Sequence, residues 1–190
     1  MMDVMSLIHT CAPTVAPAIV AAIIRTESGF DPLALHVNGN VRLRLPPRTA
    51  AQAATWSQWL IDRGYSVDMG LMQINSRNLA SLRLTAADVF EPCQNIKAGA
   101  AILTAQYSLS ARASGAGSRA LLQAISAYNT GTFKGGFRNG YVGKVVMRML
   151  GSQPATVADL TCLLTKCANR SSPTPYTADS LVPGFDDAAP

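Results

Sequence analysis

The sequence has 190 residues, of which 48% are hydrophobic and 14% charged, which predicts one globular domain with a buried core. This composition excludes a chain that is disordered along its whole length. The formal net charge is +5 at pH 7, but the basic residues are scattered and not interleaved with aromatic ones. That pattern argues against a nucleic-acid-binding module and favours attraction to an anionic polymer, although a solvated basic surface is also compatible with it.

The first helix is predicted over Thr14–Ser28. Its apolar positions repeat with a 3.6-residue period, Pro17 falls in the first turn where proline is tolerated, and Gly29 is suited to end the helix. Glu27, one of two glutamates in the chain, then lies in the last helical turn. A carboxyl group at that position borders the core and can face a cleft.

The remaining elements are predicted mostly helical. Asn38-Gly39 indicates a turn in a short hairpin or loop at 36–45, and a short strand or extended turn is predicted at 66–75. Further helices are predicted at 48–63, 93–113, 119–129 and 141–150, with a mobile glycine-rich loop at 132–140. The helical register of the first of these follows residues such as Thr55, Gln58 and Trp59, and that of the second follows Ile96, Ala100 and Leu103. We expect an N-terminal segment at 1–10, a domain at 11–150, and a flexible tail rich in Pro, Ser, Thr and Ala at 151–190.

Four cysteines occur, at Cys11, Cys93, Cys162 and Cys167. A bridge between Cys11 and Cys93 would join the N-terminus to the core, with two buried free thiols as the alternative. Cys162 and Cys167 could pair locally or stay free. Neither the cysteines nor the two isolated histidines form a ligand cluster, so we expect no metal.

Three short motifs follow one another along the chain, at Glu27-Ser28-Gly29, Gly70-Leu71-Met72-Gln73-Ile74-Asn75 and Ala127-Tyr128-Asn129. In this order they resemble the motifs of soluble-type lytic transglycosylases in the lysozyme-like superfamily. The similarity is greatest to the specialised transglycosylases of type IV secretion and conjugation systems, and it covers roughly residues 11–146. The stretch that begins at Asp68 is also similar to the second-acid region of animal-type lysozymes.

The resemblance implies a mostly α-helical lysozyme-like fold with a small extended region and an active-site cleft. It implies cleavage of the β-1,4 bond between N-acetylmuramic acid and N-acetylglucosamine in peptidoglycan, with no cofactor. Glu27 matches the catalytic acid, and Asp68 could assist it. Substrate-binding residues would be Ser28, Met72, Gln73, Tyr128 and Asn129, which line the sugar site or hold the acid.

Several alternatives stay open at the level of the sequence. Many soluble transglycosylases carry a serine where this chain has Asp68, so the enzyme could instead be a hydrolytic muramidase. A catalytically silent wall-binding assembly factor of the secretion apparatus is a third reading. Tyr128 could be an ordinary core aromatic residue, and Trp56 and Trp59 could stack on sugars, although a pair at this spacing more often anchors a helix to the core.

The expected partners are peptidoglycan strands and components of a type IV secretion system. We expect a monomer in the periplasm, without nucleic acid. The sequence contains no run of 18 apolar residues, so we expect no transmembrane helix. The first ten residues do not have the pattern of a persuasive leader peptide.

Overall fold

The computed structural model describes residues 4–39 and 41–151. It confirms the prediction of a mostly α-helical fold with a small extended region. The strands are β1 (Leu35–Val37), β2 (Val67–Met69) and β3 (Ile74–Asn75). The helices are α1 (Val4–Cys11), α2 (Pro17–Glu27), α3 (Ala50–Ile61), α4 (Leu79–Leu82), α5 (Ala86–Val89), α6 (Pro92–Ser114), α7 (Ser118–Thr130), α8 (Gly135–Arg138) and α9 (Tyr141–Met149).

The described chain divides into two compact units, with boundaries after Ala12, inside α2 after Ala22, and inside α6 after Ala100. The first unit contains α1, the end of α2, the sheet, α3 to α5 and the beginning of α6. In α1, Ile8 is fully buried, so residues that precede the predicted domain start already take part in this unit's core. The tail from residue 152, including Cys162 and Cys167, lies outside the described residues.

The sheet is a three-stranded antiparallel meander in the order β1-β2-β3. Asp68, at the centre of β2, stands opposite His36 of β1 and Asn75 of β3. Its neighbours in β2, Val67 and Met69, are fully buried. Because side chains alternate along a strand, Asp68 belongs to the opposite, polar face of the sheet.

Helix α3 is shorter than predicted, and its buried face consists of Ala53, Ser57 and Leu60. The helical register inferred from the sequence instead follows residues such as Thr55, Gln58 and Trp59, which are exposed. The preferred interpretation of Trp59 as a core anchor was therefore wrong, since 53% of this residue is exposed.

In the second unit, α7, α8 and α9 pack on one another. The segment predicted as a glycine-rich loop contains α8, and its backbone lies close to α7. The Gly136 nitrogen donates to Ser126 Oγ at 2.8 Å, and a Cβ on Gly136 would lie 2.7 Å from Ser126 Cα. Close packing of α8 on α7 thus requires glycine at this position. The prediction of a loop here was wrong because it treated glycine only as a sign of flexibility.

Candidate active site

Glu27 is the last residue of α2 and is partly buried. The backbone nitrogen and the hydroxyl of Ser28 both donate to the Ile24 carbonyl, at 3.0 and 3.2 Å, and so close the last turn. The chain then reverses through Gly29 and Phe30, with φ values of 63° and 72°. A left-handed phenylalanine is a rare and strained conformation, which surrounding structure has to impose. The carboxyl group of Glu27 is thereby placed at a sharply defined helix end.

The second motif forms the turn between β2 and β3 at residues 70–73. Gly70 has a φ of 72°, and a Cβ on it would overlap the side-chain amide of Asn95. Gln73 also has a positive φ, 49°, and its backbone nitrogen donates to the Gly70 carbonyl at 3.1 Å. The glycine of the motif is therefore required for both its backbone conformation and its contact with α6.

The side chain of Gln73 joins two segments of this unit. Its Nε2 atom donates to the Ala34 carbonyl at 3.1 Å and to the Gly70 carbonyl at 3.0 Å. The Gly70 nitrogen also donates to the Ala34 carbonyl, at 2.8 Å. Since an amide nitrogen has two hydrogens, these carbonyls use its full donor capacity. Gln73 thus links the segment that follows Glu27 to the turn that follows Asp68.

Asn95, on α6, is a site residue that the sequence reading missed. It is 1% exposed, and its Oδ1 accepts from the Met72 nitrogen at 2.8 Å. Its Nδ2 donates to the carbonyls of Met69 and Val89, at 2.9 and 2.8 Å. One buried amide therefore satisfies three backbone groups around the motif turn. Its partners are more than five residues away along the chain, so no local pattern marked Asn95.

Met72 was expected to form an apolar wall beside the sugar site. Its side chain is fully buried, and a Cβ on Gly99, one helical turn beyond Asn95, would overlap its sulfur. We refer to Asn95 and Gly99 together as the α6 socket, because they receive the turn at residues 70–73. A side chain with no exposed surface can touch a substrate only if its neighbours move. In this structure the Met72 side chain packs against Gly99 of α6 and so supports the turn.

Asp68 is held by two asparagine side chains on the polar face of the sheet. Asn75 Nδ2 donates to Asp68 Oδ1 at 2.6 Å, and Asn38 Nδ2 donates to Asp68 Oδ2 at 2.7 Å. Ser66 Oγ exchanges hydrogen bonds with the Asn75 side chain. Because both carboxylate oxygens accept from amide donors, the orientation of this acid is fixed.

The third motif lies on α7, in the second unit. Tyr128 is partly buried, whereas Asn129 is exposed and its Oδ1 accepts from Asn139 Nδ2 at 2.9 Å. Gly131 ends α7 in a left-handed conformation, and its nitrogen donates to the Ala127 carbonyl at 2.7 Å. The structure thus places both residues on the last turn of one helix.

The expected disulfide is present between Cys11, at the end of α1, and Cys93, in the first turn of α6. It joins two helices of the first unit across 82 residues of sequence. The Cys93 end lies on the helix that carries the α6 socket. The bridge therefore anchors the helix on which the motif turn rests.

Comparison with known proteins identifies the family. A family model described as the transglycosylase SLT domain matches residues 5–146. The chain belongs to the SLT transglycosylase family. This places the mostly α-helical fold with its small sheet among the lysozyme-like folds that the motifs indicated.

Two proteins with related names are similar to this SLT-family chain. It is 44% identical over 135 residues to "Protein virB1" of Agrobacterium fabrum (strain C58), covering 71% of this chain and 54% of that protein. It is 40% identical over 152 residues to "Type IV secretion system protein virB1" of Brucella abortus biovar 1 (strain 9-941), covering 77% of this chain and 63% of that protein. The chain thus matches less than two thirds of the length of either relative.

A membrane span and a metal site each place requirements on the helices and side chains of the SLT-family chain. Among residues 4–39 and 41–151, no helix is both long enough and apolar enough to cross a membrane. Within the same part of the chain, no three His, Cys, Asp or Glu side chains are grouped so that they could hold a metal ion.

Proposed function

We propose that this protein is a peptidoglycan lytic transglycosylase that opens the cell wall locally for a type IV secretion apparatus. It would cleave the β-1,4 bond between N-acetylmuramic acid and N-acetylglucosamine and leave a 1,6-anhydro end. Membership of the SLT family over residues 5–146 supports the reaction class. The relatives named virB1, one of them a type IV secretion system protein, support the setting, and a periplasmic location agrees with it.

The observation that carries the proposal is the connection made by Gln73. Through Ala34 and Gly70 it ties the segment after Glu27 to the hairpin that presents Asp68. A general acid has to be held in a defined position relative to the groups that bind the sugar. Such a fixed arrangement of a carboxyl group and polar side chains is what acid-catalysed glycoside cleavage requires.

Glu27 would act first as an acid and then as a base. It donates its proton to the glycosidic oxygen, the bond to the muramic C1 breaks, and positive charge develops on the sugar ring. The resulting carboxylate takes the proton of the muramic 6-hydroxyl, whose oxygen bonds to C1.

The other predicted residues would bind or position the substrate. Asn129 is exposed and would donate to the sugar, and Tyr128, the preceding residue of α7, would contact the N-acetyl group. Ser28 and Met72 would act indirectly, since Ser28 closes the α2 helix and Met72 supports the motif turn. The substrate's own N-acetyl group would stabilise the positive charge.

A hydrolytic muramidase is the second candidate, and the environment of Asp68 favours it specifically. A carboxylate held by Asn38 and Asn75 could stabilise a positive sugar ring long enough for water to attack. The two candidates give different products, because hydrolysis adds one water that anhydro-ring closure does not. Mass spectrometry of muropeptides released from purified wall by the unmodified protein distinguishes them, with Glu27→Gln as the inactive control.

A further inference from the structure

The connection between β1 and β2, residues 38–66, differs from the rest of the first unit. We call it the arm. It contains α3, both tryptophans of the chain, four arginines and one aspartate. Four positive charges less one negative charge give the arm +3 of the chain's net +5. A segment with this charge is suited to an anionic partner.

The two faces of α3 have opposite character. Ala53, Ser57 and Leu60 are buried, and the helix packs on α5 and β2 through this side. Trp59 points away from that face and is 53% exposed. Less than half of the solvent-accessible surface of this residue is therefore buried in the folded protein. A large aromatic residue left in water at this position contributes little to the core and is available for contact with a partner.

Arg63 holds the indole ring of Trp59 in place. The guanidinium carbon lies 3.8 Å from the ring centroid, and Nη1 donates to the Trp59 carbonyl at 3.2 Å. The guanidinium covers one face of the ring, and the residue nevertheless remains 53% exposed. A ring that is already oriented loses less rotational freedom when a ligand stacks on it.

The surroundings of Trp59 are polar. Thr55, Gln58 and Asp62 are exposed, and Gln58 Nε2 donates to Asp62 Oδ1 at 2.7 Å. The arm also exposes Leu45 and Tyr65, but the groups beside the indole ring are polar, whereas protein-docking surfaces usually have an apolar centre depleted in such groups. A pyranose ring matches this arrangement better, since it has an apolar face of C–H groups and an edge of hydroxyl groups.

We propose that Trp59 and the arginines of the arm form a second glycan-binding surface, in addition to the residues proposed for catalysis, for peptidoglycan strands that carry peptide side chains. Trp59 stacks on a sugar ring through its open face. Arg63 and the exposed Arg42, Arg44 and Arg48 attract the carboxylates of the peptides. The identity of the ligand rests on the proposed function, whereas the surface itself rests on the exposure and charge of the arm.

Sedimentation with purified wall tests the surface in the full chain carrying Glu27→Gln, so that the polymer stays intact. We expect Trp59→Ala to weaken binding roughly tenfold and Arg63→Gln roughly threefold, with the loss from Arg63→Gln fading at high salt. Leu109→Ala and Arg112→Gln remove an exposed apolar residue and a positive charge elsewhere, and should bind as the parent does. Equal binding of all four variants overturns the proposal.

Fluorescence gives an independent readout, because Trp56→Phe leaves Trp59 as the single tryptophan of the chain. Soluble glycan strands with peptides should change its emission and saturate, and the same strands stripped of peptides should bind several-fold more weakly. No change with either ligand overturns the proposal and leaves a protein partner as the explanation for the exposed ring. Trp59→Ala should still cleave short soluble fragments, so loss of wall binding with cleavage retained separates this surface from the active site.

Discussion

The turn at residues 70–73 and the arm at residues 38–66 belong to the same compact unit but are built in opposite ways. In the turn, a buried asparagine satisfies backbone groups and a glycine contacts it directly. In the arm, an aromatic ring and several arginines face solvent. The first arrangement holds site residues in place, so changes there should appear as lost stability. The exposed side chains of the second contribute little to folding, so changes to them should appear as lost binding.

Breaking the α6 socket should have the largest effect on folding. Asn95→Ala removes three hydrogen bonds to buried backbone groups, and each such loss costs about 1–3 kcal/mol. We expect a loss of about 3–5 kcal/mol in the free energy of unfolding, measured by urea denaturation. Gln94→Ala, at the exposed neighbouring position, should change it by less than about 0.5 kcal/mol.

Asn95→Asp sharpens this test because it keeps the shape of the side chain. The acceptor for the Met72 nitrogen remains, but an oxygen now faces the carbonyls of Met69 and Val89. The variant should be at least as unstable as Asn95→Ala. A loss below about 1 kcal/mol in both variants contradicts the role given to Asn95.

The disulfide should come next in size. It closes a loop across 82 residues, and reduction should lower the free energy of unfolding by about 2–4 kcal/mol. Thermal unfolding with and without reductant measures the effect, and a Cys11→Ser, Cys93→Ser double variant should not respond to reductant. Intact mass after alkylation without reductant checks the bond itself, and four alkylated thiols would rule it out.

Asp68 lies in the strand between the arm and the turn, so its replacement tests activity more than stability. Asp68→Ser should fold, lose about tenfold in cleavage rate and still yield anhydro ends, because Glu27 performs both proton transfers. Asn38→Ala removes one donor from the same carboxylate and should have a smaller effect. A folded but fully inactive Asp68→Ser protein would show that Asp68 is essential to the reaction.

The smallest effect is expected at Asp88, in α5, on which the arm helix packs. Hydrogen bonds from the Thr85 hydroxyl and backbone nitrogen lower the pKa of Asp88 from its ordinary value of 3.8. A lowered aspartate pKa adds stability that is complete above this value and is lost as the pH falls through the lower folded-state pKa. The melting temperature should therefore fall more steeply as the pH drops below 3.8 in the parent than in Asp88→Asn. Parallel profiles would contradict the role of this cap.

The helices of this protein could be predicted where an apolar stripe repeats along them. The stripe through Ile96, Ala100 and Leu103 gave α6 to within one residue at each end, and all three residues are buried. The short helices α4 and α5 were missed, since four residues are too few to show a helical period. In α3 most of the buried residues are small, so the sequence did not show which face of the helix is apolar. The predicted face was therefore that of the larger residues, which are exposed.

Candidate site residues could be proposed from the sequence only where they belong to short motifs. Glu27, Asp68 and Gln73 were proposed from motifs that resemble a known family, and the predicted bridge between Cys11 and Cys93 is confirmed. The linking role of Gln73 and the role of Asn95 could not be predicted, because they depend on backbone groups far away along the chain. The exposure of Trp59 likewise depends on which face of α3 meets the sheet.

The mass of the muropeptides released from purified wall tests the central claim most directly. The unmodified protein should release fragments with anhydro ends. Glu27→Gln, which keeps the shape of the side chain but removes the proton donor, should release at least about a hundredfold less with little change in thermal stability. Fragments that carry one additional water would move the assignment to a hydrolytic muramidase. Lysis by Glu27→Gln within a few-fold of the parent would contradict the role of Glu27 and, with it, the proposed mechanism.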